Sequence, residues 1–325
     1  MFKRRILGVV GALAAAAAMN VSAHAASLTL AHHNAVGSQI SNRGEALKAC
    51  VEGANVDLVI QHLPAAQLGT AKEVIEQVML GAVDMSITDT AYLSEIQPEL
   101  AAFQLPFIFQ GWDHAERAMD GDAGDLLKST LAENQNMIVL ATMHNGFRDL
   151  LTVDKPVRAM EDMQGVEFRS PPLPLWLTMF EALNVQPVTV PWSEVYTAMQ
   201  TGLVDGLETT PEGMVSSKTY EVGKFVTRTG HMYNLTTLVI SKTVFDRLNA
   251  EQQTALQSCA DAFQSEGNVE VRALAEESLK VMQDAGIEII EVDKTPFQEA
   301  LKPAWPELAP KGNVQPFIDA IGNAS

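Results

Sequence analysis

Cysteine is almost missing from this 325-residue chain: Cys50 and Cys259 are the only two, more than half the chain apart. Two distant thiols make neither a C-x-x-C redox pair nor a metal-type spacing. An oxidising compartment permits a bridge between them, and two buried thiols fit the same pattern, so their pairing stays open here. Positive charge is scarce as well, with 22 Lys and Arg against 40 Asp and Glu and a net charge of −18. That balance excludes nucleic acid as a partner, because neutralising phosphates needs a basic surface. An anionic lipid surface is excluded on the same ground. Low-complexity tracts are absent, since the 15 Pro and 21 Gly are dispersed. Motifs of the common enzyme classes are absent too: the chain contains no G-x-S-x-G, H-E-x-x-H, Walker loop or G-x-G-x-x-G. Asp89 and Glu208 could form an acid/base pair, but surface or ion-paired carboxylates are the commoner use of acids in so acidic a chain.

What is present begins with an address. Lys3, Arg4 and Arg5 precede an uncharged, alanine-rich run from Ile6 to Met19, and Ala23-His24-Ala25 supplies a small-x-small cleavage pattern. The run falls short of the ~20 apolar residues that a membrane span needs. Residues 1–25 therefore read as a signal peptide, and the mature protein, starting at Ala26, as a soluble periplasmic protein. No Cys follows the run, so no lipid anchor is expected. Losing the leader removes three cations and takes the net charge from −18 to −21.

The remaining length exceeds one ordinary domain of ~100–200 residues, so two lobes are expected, and 47% hydrophobic residues suffice for real cores. Strands and helices alternate. Leu28–Ala31 and Val56–Gln61 are β-prone and bracket a helical stretch near Ser41–Glu52. Thr70 and Glu73 form a capping box for a helix over Ala71–Leu80 that Gly81 stops, and Val83–Thr88 follows as a strand. Asp113 with Glu116 predicts another helix start, and Met137–Met143 another strand. Further on come Glu167–Arg169 (strand), Leu173–Leu183 (helix), Val185–Val190 (strand) and Ser193–Thr201 (helix, stopped by Gly202). Asn249 with Gln252 opens a helical pattern running to about Ala285, roughly 50 Å if continuous, with Gly267 a candidate bend. This grammar predicts an α/β protein whose lobes are each a mostly parallel sheet flanked by helices.

The two halves echo each other. Gly81-Ala82-Val83-Asp84 and Gly202-Leu203-Val204-Asp205 both end a helix and start a strand, and the strands lead to Asp89-Thr90 and Glu208-Thr209-Thr210. Ligands of parallel sheets bind beyond the carboxyl ends of strands, so matching strand ends point to one ligand between two lobes. Of the histidines, only His32 and His33 are adjacent, on opposite faces of a strand, which makes a poor metal pair. Eight arginines remain after the leader. Arg148 in Gly146-Phe147-Arg148 and Arg169 in Phe168-Arg169-Ser170-Pro171-Pro172 each stand beside an aromatic at a predicted strand end. A guanidinium in a dry cleft grips a carboxylate with two parallel hydrogen bonds.

Residues 56–105 and 147–226 resemble the DctP-type solute-binding proteins of tripartite ATP-independent periplasmic (TRAP) transporters. The residues that carry the likeness are Leu68-Gly69-Thr70 with Glu73 and Glu76, Gly81 to Met85, Leu105-Pro106-Phe107-Ile108-Phe109, Asp162 to Gly165, Arg169, and the run from Pro191 to Glu208. The resemblance implies a two-lobed periplasmic-binding-protein-like fold with a hinge of crossing strands and a long helix bridging the lobes. Lobe I would take residues 26–147 and about 234–270, lobe II residues 148–233 and about 271–325. It implies that Arg169 holds the ligand carboxylate, that Arg148 assists and that Trp192 packs on the ligand. Asp89 falls where some sugar-acid binders place an acid, His33 lies on a loop facing the cleft, and Glu208 and Thr209 lie at the second strand end. Thr209 departs from the Asn that many members carry. Members that bind 2-oxo acids through a metal tend to carry Trp-Glu after Asp-Gly; Leu207-Glu208 stands here, so neither metal nor other cofactor is expected. Tyr196 and Met199 have core spacing. The implied role is capture of a small organic carboxylate by a monomer that docks on a membrane permease. A sugar acid or polyhydroxy acid is favoured, because Asp89 would repel a second carboxylate. An ectoine-like zwitterion or a dicarboxylate, a periplasmic enzyme and a sensor partner are the alternatives.

Overall fold

The computed structural model describes residues 26–309 and 311–324. The expected signal peptide lies outside the described residues. The first half of the chain runs β1 (Ala26–Ala31), α1 (Gln39–Gly53), β2 (Leu58–Leu63), α2 (Ala71–Leu80), β3 (Met85–Asp89) and α3 (Thr90–Leu93). It continues with α4 (Trp112–Asp120), α5 (Asp122–Asn134) and β4 (Met137–Thr152). Next come β5 (Arg169–Ser170), α6 (Pro174–Ala182), β6 (Val188–Thr189), α7 (Val195–Gln200), β7 (Gly206–Thr209), α8 (Pro211–Ser216) and β8 (Phe225–Ser241). The chain finishes with α9 (Lys242–Phe245), α10 (Ala250–Asp284), β9 (Glu288–Glu291), α11 (Thr295–Leu301), α12 (Trp305–Leu308) and α13 (Gln315–Gly322).

The α/β class and the flanking helices agree with the sequence reading, but the strand pairing is mixed rather than mostly parallel. The main sheet has the order β2-β1-β3-β8-β4-β7, with β9 also on β8. Parallel pairs occur at β1–β2, β1–β3 and β8–β9, and in the separate pair β5–β6. Around the centre, β3–β8, β8–β4 and β4–β7 are antiparallel. The cause is the length of β4 and β8, 16 and 17 residues, which at ~3.3 Å per residue reach roughly 50 Å. Such strands run from one half of the molecule into the other and pair with each other along the way. Gly146 and Arg148, expected at a strand end, lie inside β4; Gly146 has φ +95°, a conformation glycine adopts without steric cost.

Three hydrophobic cores form around this sheet. One packs α1 and the start of α10 against β1–β3 through Leu47, Ile60, Ile87 and Leu256. Another packs α7, β7 and the end of α10 through Met199, Leu207 and Leu279. The largest joins elements from both halves, with Val74, Phe103, Phe168 and Phe180 among its members. Met199 is buried as expected, while Tyr196 is only half-buried. The echoed Gly-x-x-Asp segments have matching structural roles. Gly81 and Gly202 end their helices at φ +72° and +73°. Asp84 Oδ2 accepts from Thr29 N at 2.7 Å, and Asp205 Oδ2 accepts from Glu167 N at 3.1 Å, each fastening a neighbouring strand.

One helix expectation needs correction. Asp113 and Glu116 do not cap α4, whose N-cap is Gly111; both pair instead with Arg272 of α10. The long pattern is one continuous helix of 35 residues with the expected Asn249/Gln252 capping box. Gly267 marks a close approach there: a Cβ at this position would stand 2.1 Å from Met143 Sδ of β4.

Cys50 of α1 and Cys259 of α10 are disulfide-bonded across 209 residues of chain. Closing so long a loop restricts the unfolded chain strongly, so reduction is expected to lower unfolding free energy by about 2–4 kcal/mol. Denaturant titration with and without reductant measures this. Ligand affinity under native conditions should persist, because neither sulfur lines the cavity described next.

Candidate ligand-binding site

A cavity opens where the ends of the short strands meet the middle of β4 and β8. His33 and Asn34 reach it from the β1–α1 loop, Asp89 from the end of β3 and Tyr92 from α3. Asn145 and Arg148 of β4 and Asn234 of β8 form its floor. Arg169 of β5, Trp176 of α6 and Trp192 close another side, with Thr209, Thr210 and Glu212 from the β7–α8 junction.

Strand periodicity alone would send Asn145 and Arg148, three apart, to opposite faces. The β4–β8 register shifts between His144 and Gly146, leaving Asn145 as the extra residue, and a bulge of this kind re-aims side chains. A second irregularity sets Asp149 of β4 opposite the segment 228–231 of β8. Gly230 at φ +54° permits that excursion and donates its N–H to Asp149 Oδ1 at 2.8 Å. The excursion also carries His231 Nε2 to 3.4 Å from Glu208.

The two arginines are held differently. Arg148 donates through Nε and Nη2 to the Glu208 carboxylate at 2.5 and 2.7 Å, and through Nη2 to the Glu208 carbonyl at 2.8 Å. Trp176 Nε1 donates to the same carboxylate at 2.7 Å. Burial pushes the Glu208 carboxyl up, yet the Arg148 charge and its hydrogen bonds, with His231 close by, outweigh it and hold the group at about 2. Arg169 is 2% exposed and has no such partner. Its Nε donates to the Val190 carbonyl at 2.8 Å, its guanidinium packs 5.5 Å over the Trp192 ring, and its Nη2 has no acceptor. Burial pulls its pKa down, the expected response of a cation removed from water without a counter-ion.

Opposite the arginines stands a polar cluster. Asn234 Nδ2 donates to Asp89 Oδ1 at 3.3 Å, and His33 Nε2 lies 3.8 Å from Asp89 Oδ2. Burial drives His33 below the ordinary imidazole range despite the raising effect of Asp89, so the ring is neutral near pH 7. Besides Arg169 Nη2, the buried atoms His33 Nδ1, Asn34 Oδ1, Asn145 Oδ1 and Asn234 Oδ1 lack partners. Unsatisfied buried polar groups cost about 1–3 kcal/mol each, so their gathering around one cavity marks a place built for a polar guest.

Of the sequence-predicted residues, Arg169, Arg148, Trp192, Thr209, Asp89 and His33 all line this cavity. Glu208 does not. It is fully buried behind Arg148, because at the sheet edge its side chain faces the β4 floor. Sequence reasoning missed Tyr92, Asn145, Trp176, Glu212 and Asn234. Tyr92 follows Asp89-Thr90 closely enough to have been found from the strand-end argument. Asn145 and Asn234 are placed by the β4–β8 register, for which the sequence carries no local sign.

Residues 30–311 match the model of the DctP family, described as bacterial extracellular solute-binding protein, family 7. The chain is 33% identical over 249 residues to the 2,3-diketo-L-gulonate-binding periplasmic protein YiaO of Escherichia coli, covering 75% of each chain. It is 30% identical over 318 residues to the C4-dicarboxylate-binding periplasmic protein DctP of Rhodobacter capsulatus, covering 95% of each. Among solved structures, a TRAP periplasmic solute-binding protein of Citrobacter koseri with bound D-glucuronate superposes with a TM-score of 0.85 at 29% identity. That match covers 92% of this chain and 99% of the other. Its fold, its cavity between two halves and its sequence together place the chain in the DctP family of bacterial extracellular solute-binding proteins, the solute-binding type of TRAP transporters.

Proposed function

We propose that this protein captures a sugar acid bearing a single carboxylate and delivers it to a membrane permease without altering it. The observation that carries this reading is Arg169, a buried guanidinium whose Nη2 lacks an acceptor beside a polar cavity. A carboxylate placed there gains charge-assisted hydrogen bonds and gives the cation its counter-ion. Arg148 is neutralised by Glu208, so Arg169 is the cation left for the ligand, while Asp89 stands on the wall. A second carboxylate on the ligand would meet this acid; hydroxyl groups would donate to Asp89 and to the asparagine oxygens. Relatives named for diketogulonate and solved with glucuronate support the same class, whereas the Rhodobacter relative is named for C4-dicarboxylates. The Trp192 ring already packs against Arg169, so the face that the cation of an ectoine-like ligand needs is occupied on that side.

In this reading lobe I comprises residues 26–147 and about 234–270, and lobe II residues 148–233 and about 271–325. The crossing strands β4 and β8 act as the hinge. Ligand contacts from both lobes favour the closed form, the differential affinity that any ligand-driven closure requires. The mature protein, a monomer cleaved between Ala25 and Ala26, works in the periplasm.

A thermal-shift screen across uronates, aldonates, hydroxy acids, C4-dicarboxylates and compatible solutes tests the proposal. A ligand at a thousand times its Kd adds about 4 kcal/mol of stability, and uronates or aldonates are expected to give the largest shifts. Larger shifts with succinate or malate would overturn the mono-acid assignment. Intact recovery of the ligand after prolonged incubation is expected; turnover would make the protein an enzyme.

A further inference from the structure

Glu212 lines the cavity, yet one of its oxygens is engaged by a backbone group of α1. Oε1 accepts the backbone N–H of Gln39 at 3.1 Å, across 173 residues of sequence. Gln39 opens α1, and the first turn of a helix leaves N–H groups without intrahelical partners. Ser38, the N-cap, accepts from Ser41 N at 3.2 Å. The Gln39 N–H is met by α8 on the other side of the cavity. Gln39 in turn donates through Nε2 to the Gly267 carbonyl at 3.3 Å, midway along α10. Three separate elements thus meet at Gln39: α1 itself, α8 through the Glu212 carboxylate and α10 through the Gly267 carbonyl.

We propose that Glu212 is a latch between the lobes, a positioning residue that sets the balance between open and closed protein by completing the cap of α1 only when the cleft is shut. The proposal rests on the two-lobe capture reading above, in which Gln39 belongs to lobe I and Glu212 to lobe II. Opening the hinge separates the pair and hands both groups to water. Ligand hydroxyls and carboxylates are read by other residues. The latch therefore scales every ligand's affinity by the same factor, because it acts on the equilibrium between the two forms. A residue that touches the ligand scales each ligand differently.

Titrating the mature protein and its Glu212→Ala and Glu212→Gln variants with D-glucuronate and D-galacturonate separates these cases. Glu212→Ala is expected to weaken both ligands by about tenfold, the weight of one buried hydrogen bond, with their affinity ratio unchanged. The loss should appear in the dissociation rate. Glu212→Gln keeps an acceptor oxygen and should stay close to the unsubstituted protein. A changed affinity ratio would make Glu212 a ligand contact, and unchanged affinities in Glu212→Ala would leave no latch; either result overturns the proposal. Should the unsubstituted protein bind neither uronate nor any other sugar acid of the screen, the capture reading fails on its own terms. The latch is then read without ligand, by hydrogen exchange at the Gln39 amide. Loss of protection in Glu212→Ala, restored in Glu212→Gln, supports it, and equal exchange in all three proteins refutes it.

Discussion

Replacing Arg169 by alanine is expected to abolish ligand binding and leave the fold in place. The guanidinium is 2% exposed, holds its own position through Val190 and Trp192, and keeps Nη2 free of protein acceptors. Without it a carboxylate ligand would enter the cavity stripped of water and unpaired. Leaving a buried charge in that state costs about 3–5 kcal/mol, or about two to four orders of magnitude in affinity. Lysine should not restore binding, since a compact ammonium lacks the planar two-point fork. Stability should hold, because no buried acid loses its partner: Glu208 keeps Arg148. Calorimetric titration measures the affinity and a thermal melt the fold. An Arg169→Ala protein that still binds its sugar acid tightly would sink the assignment.

Glu208→Ala is expected to do the opposite, damaging the fold before the ligand is considered. The substitution leaves the Arg148 guanidinium buried without its counter-ion and removes the acceptor of Trp176 Nε1. The expected loss is about 3–5 kcal/mol of unfolding free energy, read by urea titration. The same pair predicts a pH dependence. Its folded pKa of about 2 lies below the ordinary 4.5, so between those values the unfolded chain binds more protons than the folded one. Stability from this group is therefore fully present above about pH 4.5 and is lost as pH falls toward 2. Buried histidines act in the same direction at higher pH: burial lowers His144 to about 4 and His32 to about 3, each from 6.5. Their contribution is present above pH 6.5 and declines below it. Glu208→Gln should flatten the acid limb while the histidine limb remains. An unchanged acid limb in that variant would remove the pair from the account.

Much of this was legible in residue order because the signals are local. The Thr70/Glu73 and Asn249/Gln252 capping boxes and the stop at Gly81 each involve residues within one or two turns, and all three are found as read. Arg169 could be singled out because an aromatic before it and a Pro-Pro pair shortly after it constrain its backbone. Strand β8 escaped notice. Its β-branched run from Phe225 to Ser241 is buried on both faces over most of its length, so it shows no alternation to recognise. For the same reason nothing local marks the continuation of β4 past Met143 to Thr152.

Glu208 shows where sequence order stops being informative. It shares its strand-end position with the cavity residue Thr209, and nothing near it in the chain says that it faces inward to Arg148, sixty positions earlier. The two cysteines were likewise compatible with bridge or thiols until α1 and α10 were packed side by side.

By itself the sequence determined the acidic composition, the exclusion of nucleic acid, the α/β alternation, the long helix and the two arginines that are candidates to hold an anion. These follow from composition and short-range chemistry. The tertiary structure alone decided which arginine is free. Arg148 and Arg169 look alike in sequence, and only the register of β4 against β7 brings Glu208 to neutralise the first. It also decided that Asn145 joins the floor, through a bulge, and that α1 is capped from across the cavity. Pairing, burial and cross-lobe contact depend on distances between residues far apart in the chain, and charge balance in a closed cavity is set by those distances.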